Sequence, residues 1–564
     1  MPMSQLEQPL NINDIDSWGV RSHGTDLRIQ KDTSFGPLDK ASGPWIIDVE
    51  NNPDGTCAGI GLANTTDTVY FFTPTTVSEI AKDYFSNVEL IGHNIKHDVQ
   101  MLRKWGFDVS PDQIVWDTQV AEYVKDSTKH RYGLKKLTND YFGASYPDYK
   151  TLTGAGKKAV PIGSLPIDVV ANYCGCDVLF TAKLYFKQQD EFTEDQRRYF
   201  NEIELSTLRV LLEMEERGVW IDADYIRNLD TRFGSELEHI ISSLRSSINF
   251  EFNPNSHQQI KQSILDKTGI SLKNTTAETL QDHENIPLIK DVLRYRQLAK
   301  LKGTYTRPLL DQANNSLTYK LHARFNQTIT QTGRLSSSDP NLQNIPAKTK
   351  EGEQIRQGFI AAPNNYLIDA DYSQIEPRLM AHFSQDPVLL HIFKERKDLY
   401  DYVAAIVECD RKVAKVLWLA MAYNAGPYKI AKAANIGIAQ ARNFLDRMHK
   451  RFKVFFYWKD KVIANTEINK GITTMFGRFI PIPIENSSLG PNYLIQGTAA
   501  EIMKLAMQAT REFNPIMTVH DELVFEGSNL NEQKIKDLLE NVVTLNIPLQ
   551  VEIGKANNWM EAKQ

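Results

Sequence analysis

A chain of 564 residues is long enough for several domains, each with its own core. With 41% apolar and 24% charged residues it has an ordinary globular composition, and no apolar run approaches the roughly 18 residues a bilayer span needs. The net charge of −6 argues mildly against a nucleic-acid binder but does not exclude one, because phosphate is gripped by local basic stripes rather than by a basic total.

Residues 1–40 are polar and weakly periodic, which predicts an N-terminal arm. Met1-Pro2-Met3-Ser4-Gln5 has neither the basic start nor the apolar core of a secretory signal. Four scattered cysteines (Cys57, Cys174, Cys176, Cys409) make no disulfide framework and point to a reducing, cytoplasmic setting. Cys174 and Cys176, two apart on a helix, do not face one another, so no metal pair is expected from them.

From Pro44 to Lys187 strands and helices alternate, as in an α/β domain. Trp45–Glu50 and Val69–Phe72 read as strands, and Asp168–Phe186 as a helix. On the first strand Asp48 and Glu50 share one face while Ile47 and Val49 take the other. Two acids on one face can bridge metals, although such a fragment alone is usually just a half-exposed strand. Gly92-His93-Asn94-Ile95-Lys96-His97-Asp98 follows, and then Tyr173 and Asp177, one turn apart on a helix face.

Between Glu191 and Asp311 helical patterns dominate, including Glu202–Arg217 and Ile289–Lys302. Thr330–Pro346 is loop-rich, and the apolar run Tyr366-Leu367-Ile368 then leads to Asp371. A helical block over 387–466 contains Arg411–Tyr423, where Arg411, Lys415, Leu419 and Tyr423 recur every four residues near one face. Two cations, an apolar side chain and an aromatic in a row suit a triphosphate and a base, but equally a helix with a snorkelling cationic end. The last α/β part holds Pro515–Val519, His520-Asp521-Glu522 and Leu523-Val524-Phe525, a tight hairpin with acids at its turn. An Asp at a strand end is usually a turn former. Two on neighbouring strands can hold the pair of Mg²⁺ ions that in-line phosphoryl transfer requires.

The ordered set Asp48-x-Glu50, Asp98 after His93-Asn94, and Tyr173-x-x-x-Asp177 resembles the DnaQ-like 3′–5′ exonucleases. The resemblance implies an RNase H-like domain in which Asp48, Glu50, Asp98 and Asp177 bind two divalent metals and Tyr173 orients the attacking water.

Thr332-Gly333-Arg334-Leu335-Ser336-Ser337, Pro340-Asn341-Leu342-Gln343-Asn344-Ile345-Pro346 and Asp371-Tyr372-Ser373-Gln374-Ile375-Glu376 together resemble the family A DNA polymerases, over roughly residues 44–560. That resemblance implies an α/β multi-domain chain, with the exonuclease domain followed by a right-hand polymerase of palm, fingers and thumb. The expected divisions are an arm at 1–40, exonuclease 41–200, thumb 201–320, palm 321–386, fingers 387–488 and the second palm part 489–564. Asp371, Asp521 and the Tyr372 carbonyl would bind two Mg²⁺, with Mn²⁺ as the alternative. Glu522 would sit beside the primer end, and Lys415 would act as general acid. Arg411, Lys415, Leu419, Tyr423, Gln374, Tyr372 and the steric gate Glu376 would bind the dNTP. Arg334, Asn492, Gln496 and His520 would read the minor-groove side of the primer–template end. Asn253 and Lys302 would grip duplex phosphates from the thumb.

The chain departs from the family pattern at several places. Leu419 stands where cellular relatives carry Phe or Tyr, and Ala420 and Asn424 replace glycines. Tyr400 replaces a phosphate-contacting His, and Ser488 an Arg. The Leu419 change is expected to lower dideoxynucleotide use and the rate of fingers closure. No 5′-nuclease domain is expected before the exonuclease, and the compact inventory resembles a phage replicative enzyme, working in the host cytoplasm as a monomer, away from membranes, on primer–template DNA with a replisome helicase or primase. The alternatives are a polymerase-shaped DNA scaffold with dead sites, which the intact acids argue against, and an RNA-synthesising relative, which Glu376 argues against.

Overall fold

A computed structural model of the chain describes residues 28–31, 43–66, 68–248, 252–315 and 319–563. Most of the expected N-terminal arm, 1–40, lies outside the described residues; Arg28–Lys31 is within them and forms a strand.

The first body is a six-stranded sheet ordered Arg28–Lys31, Thr68–Phe72, Cys57–Ala63, Trp45–Asn51, Leu90–Gly92, Ile114–Asp117. The two strands expected from alternation are present, each a residue longer than read. Trp45–Asn51 lies inside the sheet, antiparallel to Cys57–Ala63 and parallel to Leu90–Gly92. Helix Ile167–Glu191 crosses the sheet and buries Val169, Val170, Cys174, Val178 and Leu179. Gly61 makes this approach possible, since a Cβ there would lie 2.7 Å from Cys174 Sγ and from Val178 Cγ2.

Two hydrophobic cores divide the chain, and they meet inside helix Ser206–Arg217. Leu208 and Leu212 face the first, and Val210, Leu211 and Met214 the second. A single helix with two apolar stripes therefore carries the chain from one body to the next. The expected helix over 202–217 begins instead as a π-helical stretch, Phe200–Leu205.

In the second body, helices Ala223–Ser247 and Pro287–Leu301 pack together. A four-stranded antiparallel sheet follows, ordered Pro515–Val519, Glu522–Gly527, Tyr366–Tyr372, Val551–Ala556. Its inner strands are almost continuously buried, which is why they read as apolar runs. Six helices occupy the block between Pro387 and Asn469: Pro387–Lys394, Leu399–Val407, Arg411–Ala422, Pro427–Ala434, Ile438–Arg451 and Lys453–Asn469. Among the described residues, no helix is long and apolar enough to cross a membrane.

A buried polar network joins the two bodies. Lys504 on helix Gly490–Ala509 pairs with Glu204 at 2.5 Å, both at most 1% exposed. Gln327 Nε2 donates to the same carboxylate at 2.7 Å, and Tyr199 Oη donates at 3.1 Å. Arg478, also buried, donates to Tyr123 Oη at 2.6 Å and lies 3.8 Å from Glu501. Removing one partner leaves a charge stranded in a dry interface. Lys504→Met is therefore expected to lower stability by about 3–5 kcal/mol, read as a shift in the denaturant midpoint. The double variant Lys504→Met/Glu204→Leu should recover most of that loss; a double variant as unstable as the single would show that the stranded charge is not the cause.

Candidate active sites

The first acidic cluster forms where the Trp45–Asn51 strand meets helices Lys96–Lys104 and Ile167–Glu191. Asp48 and Glu50 leave the same strand face, as alternation requires. Asp98 sits in the first turn of its helix, where the exposed backbone N–H groups favour an anion. Its Oδ1 accepts from Val49 N at 3.0 Å, which ties it to the strand between the two other acids. The loop before it is shaped by Asp117, whose carboxylate accepts from Asn94 N at 3.2 Å and Ile95 N at 3.0 Å. Asp177 accepts from Tyr146 Oη at 2.5 Å and pairs with Lys135. Tyr173, buried one turn earlier on the same helix, faces the cluster with Lys135 Nζ 4.3 Å from its ring centroid.

These acids are held close against their mutual repulsion. Burial, then Asp177, pushes the Asp48 carboxyl up to about 8 from an ordinary 3.8. Glu50 and Asp98 are likewise raised, by burial first and then by Asp48. Asp48 Oδ2 is buried without a hydrogen-bond partner. A set of hard oxygen donors, crowded and unsatisfied, fits divalent cations. Cys174 Sγ, an Asp48 oxygen and a Glu50 oxygen all lie within 4.8 Å of one another.

The second cluster sits at the end of the four-stranded sheet. Asp371 pairs in register with Glu522 on one side and Glu552 on the other. Tyr372 N donates to the Asp521 carbonyl at 3.1 Å, so the hairpin turn is stitched to the strand carrying Asp371. The turn residue His520 takes a left-handed φ of 58°, which swings Asp521 out of the strand line. Burial, then Asp521, raises the Asp371 carboxyl to about 6. Asp369, behind them, is raised to about 9 by burial and by its hydrogen bond with Glu522. Glu522 is held below its ordinary value: burial opposes its ionisation, but Asp369, Lys563 and Trp559 outweigh burial. Trp559 Nε1 donates to Glu522 at 2.5 Å, and Lys563 pairs with both Glu522 and Asp371.

The helix expected over Arg411–Tyr423 runs from Arg411 to Ala422, with Tyr423 as its C-cap. Arg411 is half exposed and pairs with Asp398 at 2.7 Å and Asp401 at 3.6 Å. Lys415 is exposed, 5.4 Å from the Tyr400 ring, which also faces Arg411 at 5.5 Å. Gln374 Nε2 donates to Asp398 at 2.9 Å, so one carboxylate organises both groups. Leu419 packs, partly buried, against the core. Glu376 accepts from Tyr423 Oη and pairs with Arg334. Arg334, Gln343, His520 and Asp521 line one cleft. Asn492 and Gln496 lie one turn apart on helix Gly490–Ala509, and Asn492 Oδ1 is buried without a partner.

In the helical region before the loop, Asn253 is exposed, and the Lys302 ammonium, partly exposed, pairs with the Asp230 carboxylate and backbone carbonyl. Asn424, at φ 63°, donates to the Ser488 carbonyl at 2.8 Å, which joins two departures from the family pattern. Sequence reasoning missed Lys135, Tyr146, Asp398, Trp559 and Lys563. None of them lies in a spacing that distinguishes it from an ordinary surface or core residue.

A family model described as DNA polymerase family A matches residues 223–561, and one described as 3′–5′ exonuclease matches residues 47–192. The chain is 32% identical to DNA polymerase I of Synechocystis sp., over 83% of this chain and 53% of that protein. It is 30% identical to DNA polymerase I of Borreliella burgdorferi, over 98% of this chain and 66% of that protein. The chain thus spans between about half and two thirds of the curated relatives it matches. The POL domain of Pol1 from M. smegmatis, solved in complex with DNA primer-template and dNTP, superposes with a TM-score of 0.80 at 23% identity, covering 95% of this chain and all of that one, and so shares its fold.

Raised carboxyl pKa values link stability to pH. Asp371 and Asp48 each bind a proton more tightly folded than unfolded, so stability falls as pH rises from 3.8, through about 6 for Asp371 and about 8 for Asp48. In EDTA at pH 8, Asp48→Asn is expected to raise the thermal midpoint and to remove much of the rise produced by added Mn²⁺. A lower midpoint for the variant in EDTA would rule out repulsion as the dominant effect at this cluster.

Proposed function

The chain belongs to the family A DNA polymerases and carries a 3′–5′ exonuclease domain, and from that premise we propose that it copies a DNA template from dNTPs and removes mispaired 3′ ends. The observation that carries this reading is the pairing of two separate acidic clusters, one in each body, with Asp371 and Asp521 drawn together by the Tyr372–Asp521 backbone bond. In this reading 41–200 is the exonuclease, 201–320 the thumb, 321–386 and 489–564 the palm, and 387–488 the fingers.

Asp371, Asp521 and the Tyr372 carbonyl would hold two divalent ions at the polymerase site, and Asp48, Glu50, Asp98 and Asp177 two at the exonuclease site. Mg²⁺, or Mn²⁺ in its place, supplies charge neutralisation at the phosphate and a more acidic nucleophile when bound. The remaining steps belong to the chain. Arg411 and Lys415 receive the triphosphate, and Lys415 delivers a proton to the departing pyrophosphate. Tyr400 offers both cations an aromatic face where a histidine would offer a nitrogen. Arg334 and Tyr423 fix the Glu376 carboxylate, so it stands as a rigid wall against a ribose 2′-hydroxyl. Leu419 flanks the nucleotide; Gln374 is held by Asp398 beside Arg411. Arg334, Asn492, Gln496 and His520 test the acceptors common to all base pairs on the minor-groove side, and Asn253 contacts duplex phosphate from the thumb. At the other site Tyr173 orients the water that attacks the terminal phosphodiester. Working as a monomer in the cytoplasm, the enzyme would meet its primer–template beside a helicase or primase.

Asp371→Ala is expected to abolish primer extension while preserving 3′–5′ degradation, and Asp98→Ala to do the reverse; loss of both activities in either variant would contradict two independent sites. Glu376→Ala is expected to raise incorporation of rNTPs relative to dNTPs at least about 10-fold in single-nucleotide extension. An unchanged ratio would remove Glu376 as the sugar gate.

A further inference from the structure

Each acidic cluster contains one lysine that has no part in the roles above. Lys563 Nζ lies 3.2 Å from Asp371 Oδ2 and in closer contact with Glu522. Lys135 pairs with Asp177 in the other body. Resting on the reading that these acids hold divalent cations, we propose that Lys563 and Lys135 are resident counter-cations, each occupying a metal-ligand carboxylate and leaving it when the divalent ion binds.

Both lysines are delivered by fixed elements. Lys563 follows the short helix Trp559–Ala562, which lies against the sheet only because Gly554 has no side chain: a Cβ there would stand 1.9 Å from the Ala562 carbonyl oxygen. Trp559 is fully buried beneath the Arg356 guanidinium, 3.9 Å from the ring centroid, and anchors the helix. Lys135 leaves the first turn of helix Leu134–Phe142, and its ammonium rests 4.1 Å and 4.3 Å from the Tyr146 and Tyr173 ring centroids.

Both are also free to leave. Lys563 and Lys135 side chains are 32% and 28% exposed, so each ammonium has solvent to swing into. The acids they abandon keep other partners. Glu522 retains Trp559 Nε1 at 2.5 Å, and Asp177 retains Tyr146 Oη at 2.5 Å. Asp371 then offers to the ion the oxygen that the lysine had held. A dication and an ammonium a few ångströms apart in a half-buried site repel strongly, so the lysine weakens metal binding rather than assisting it. Its benefit is that the metal-free cluster is not left uncompensated.

The test is Mn²⁺ binding, read by electron paramagnetic resonance without DNA or nucleotide. In an Asp48→Asn background, which silences the exonuclease cluster, Lys563→Met is expected to tighten binding about 10-fold, while Lys563→Arg stays near the parent. In an Asp371→Asn background Lys135→Met should tighten binding similarly. Lys563→Gln and Lys135→Gln serve as second variants should either methionine fail to fold. Unchanged or weaker binding in the folded lysine variants would overturn the exchange. Absence of Mn²⁺ binding in both parent backgrounds would instead overturn the metal-site reading beneath it.

Discussion

Carboxylates do not crowd together in a partly dry site unless something holds them there and something offsets their charge. Much of this chain's architecture answers those two demands. Strand register does the holding: alternation puts Asp48 and Glu50 on one face, and antiparallel pairing sets Asp371 beside Glu522. Backbone bonds add the third acid in each case, through Val49 to Asp98 and through Tyr372 to Asp521. The offset comes from groups far away in sequence, Lys135 and Tyr146 at one cluster, Lys563 and Trp559 at the other. Both sites reach the same electrostatic arrangement on unrelated sheets, one mixed and one antiparallel.

The two clusters also sit on a common frame. Helix Ser206–Arg217 belongs to both cores, and the Lys504–Glu204 pair and the Arg478–Tyr123 contact seal the boundary with buried polar bonds. A polar network of this kind specifies one geometry, because any other leaves charges unpaired. If a primer end is to be checked at one cluster after extension at the other, it is the nucleic acid that has to travel.

Strands and acids were legible in the sequence through two patterns: Trp45–Asn51 alternates with its acids on one face, and the Pro515–Gly527 hairpin is a pair of apolar runs with acids at the turn. Motif order then linked pieces that periodicity alone left ambiguous. What escaped had no local signal. Lys135 lies in the first turn of one short helix and Lys563 just after another, places where a lysine is normally solvated, and only tertiary packing aims them at acids. Lys302, in a stretch that resembles a phosphate-gripping one, is paired by the fold with Asp230, a contact that no sequence spacing announces. The Arg28–Lys31 strand, which fell within the expected arm, takes its place in the sheet by parallel pairing with Thr68–Phe72.

Two of the departures from the pattern that the resemblance implies, Asn424 and Ser488, are in contact. Asn424 stands where a glycine is usual, and the backbone there has a positive φ of 63°, which asparagine tolerates better than any residue but glycine. Its side chain is then used, because the amide bonds the carbonyl of Ser488, itself a departure. A glycine at 424 would keep the turn and lose this bond; an arginine at 488 would keep the carbonyl and add a cation beside it. Tyr400, where the resemblance implies a histidine, presents a ring that faces both Arg411 and Lys415. Asn424 with Ser488, and Tyr400 with Arg411 and Lys415, are thus linked contacts rather than isolated side chains.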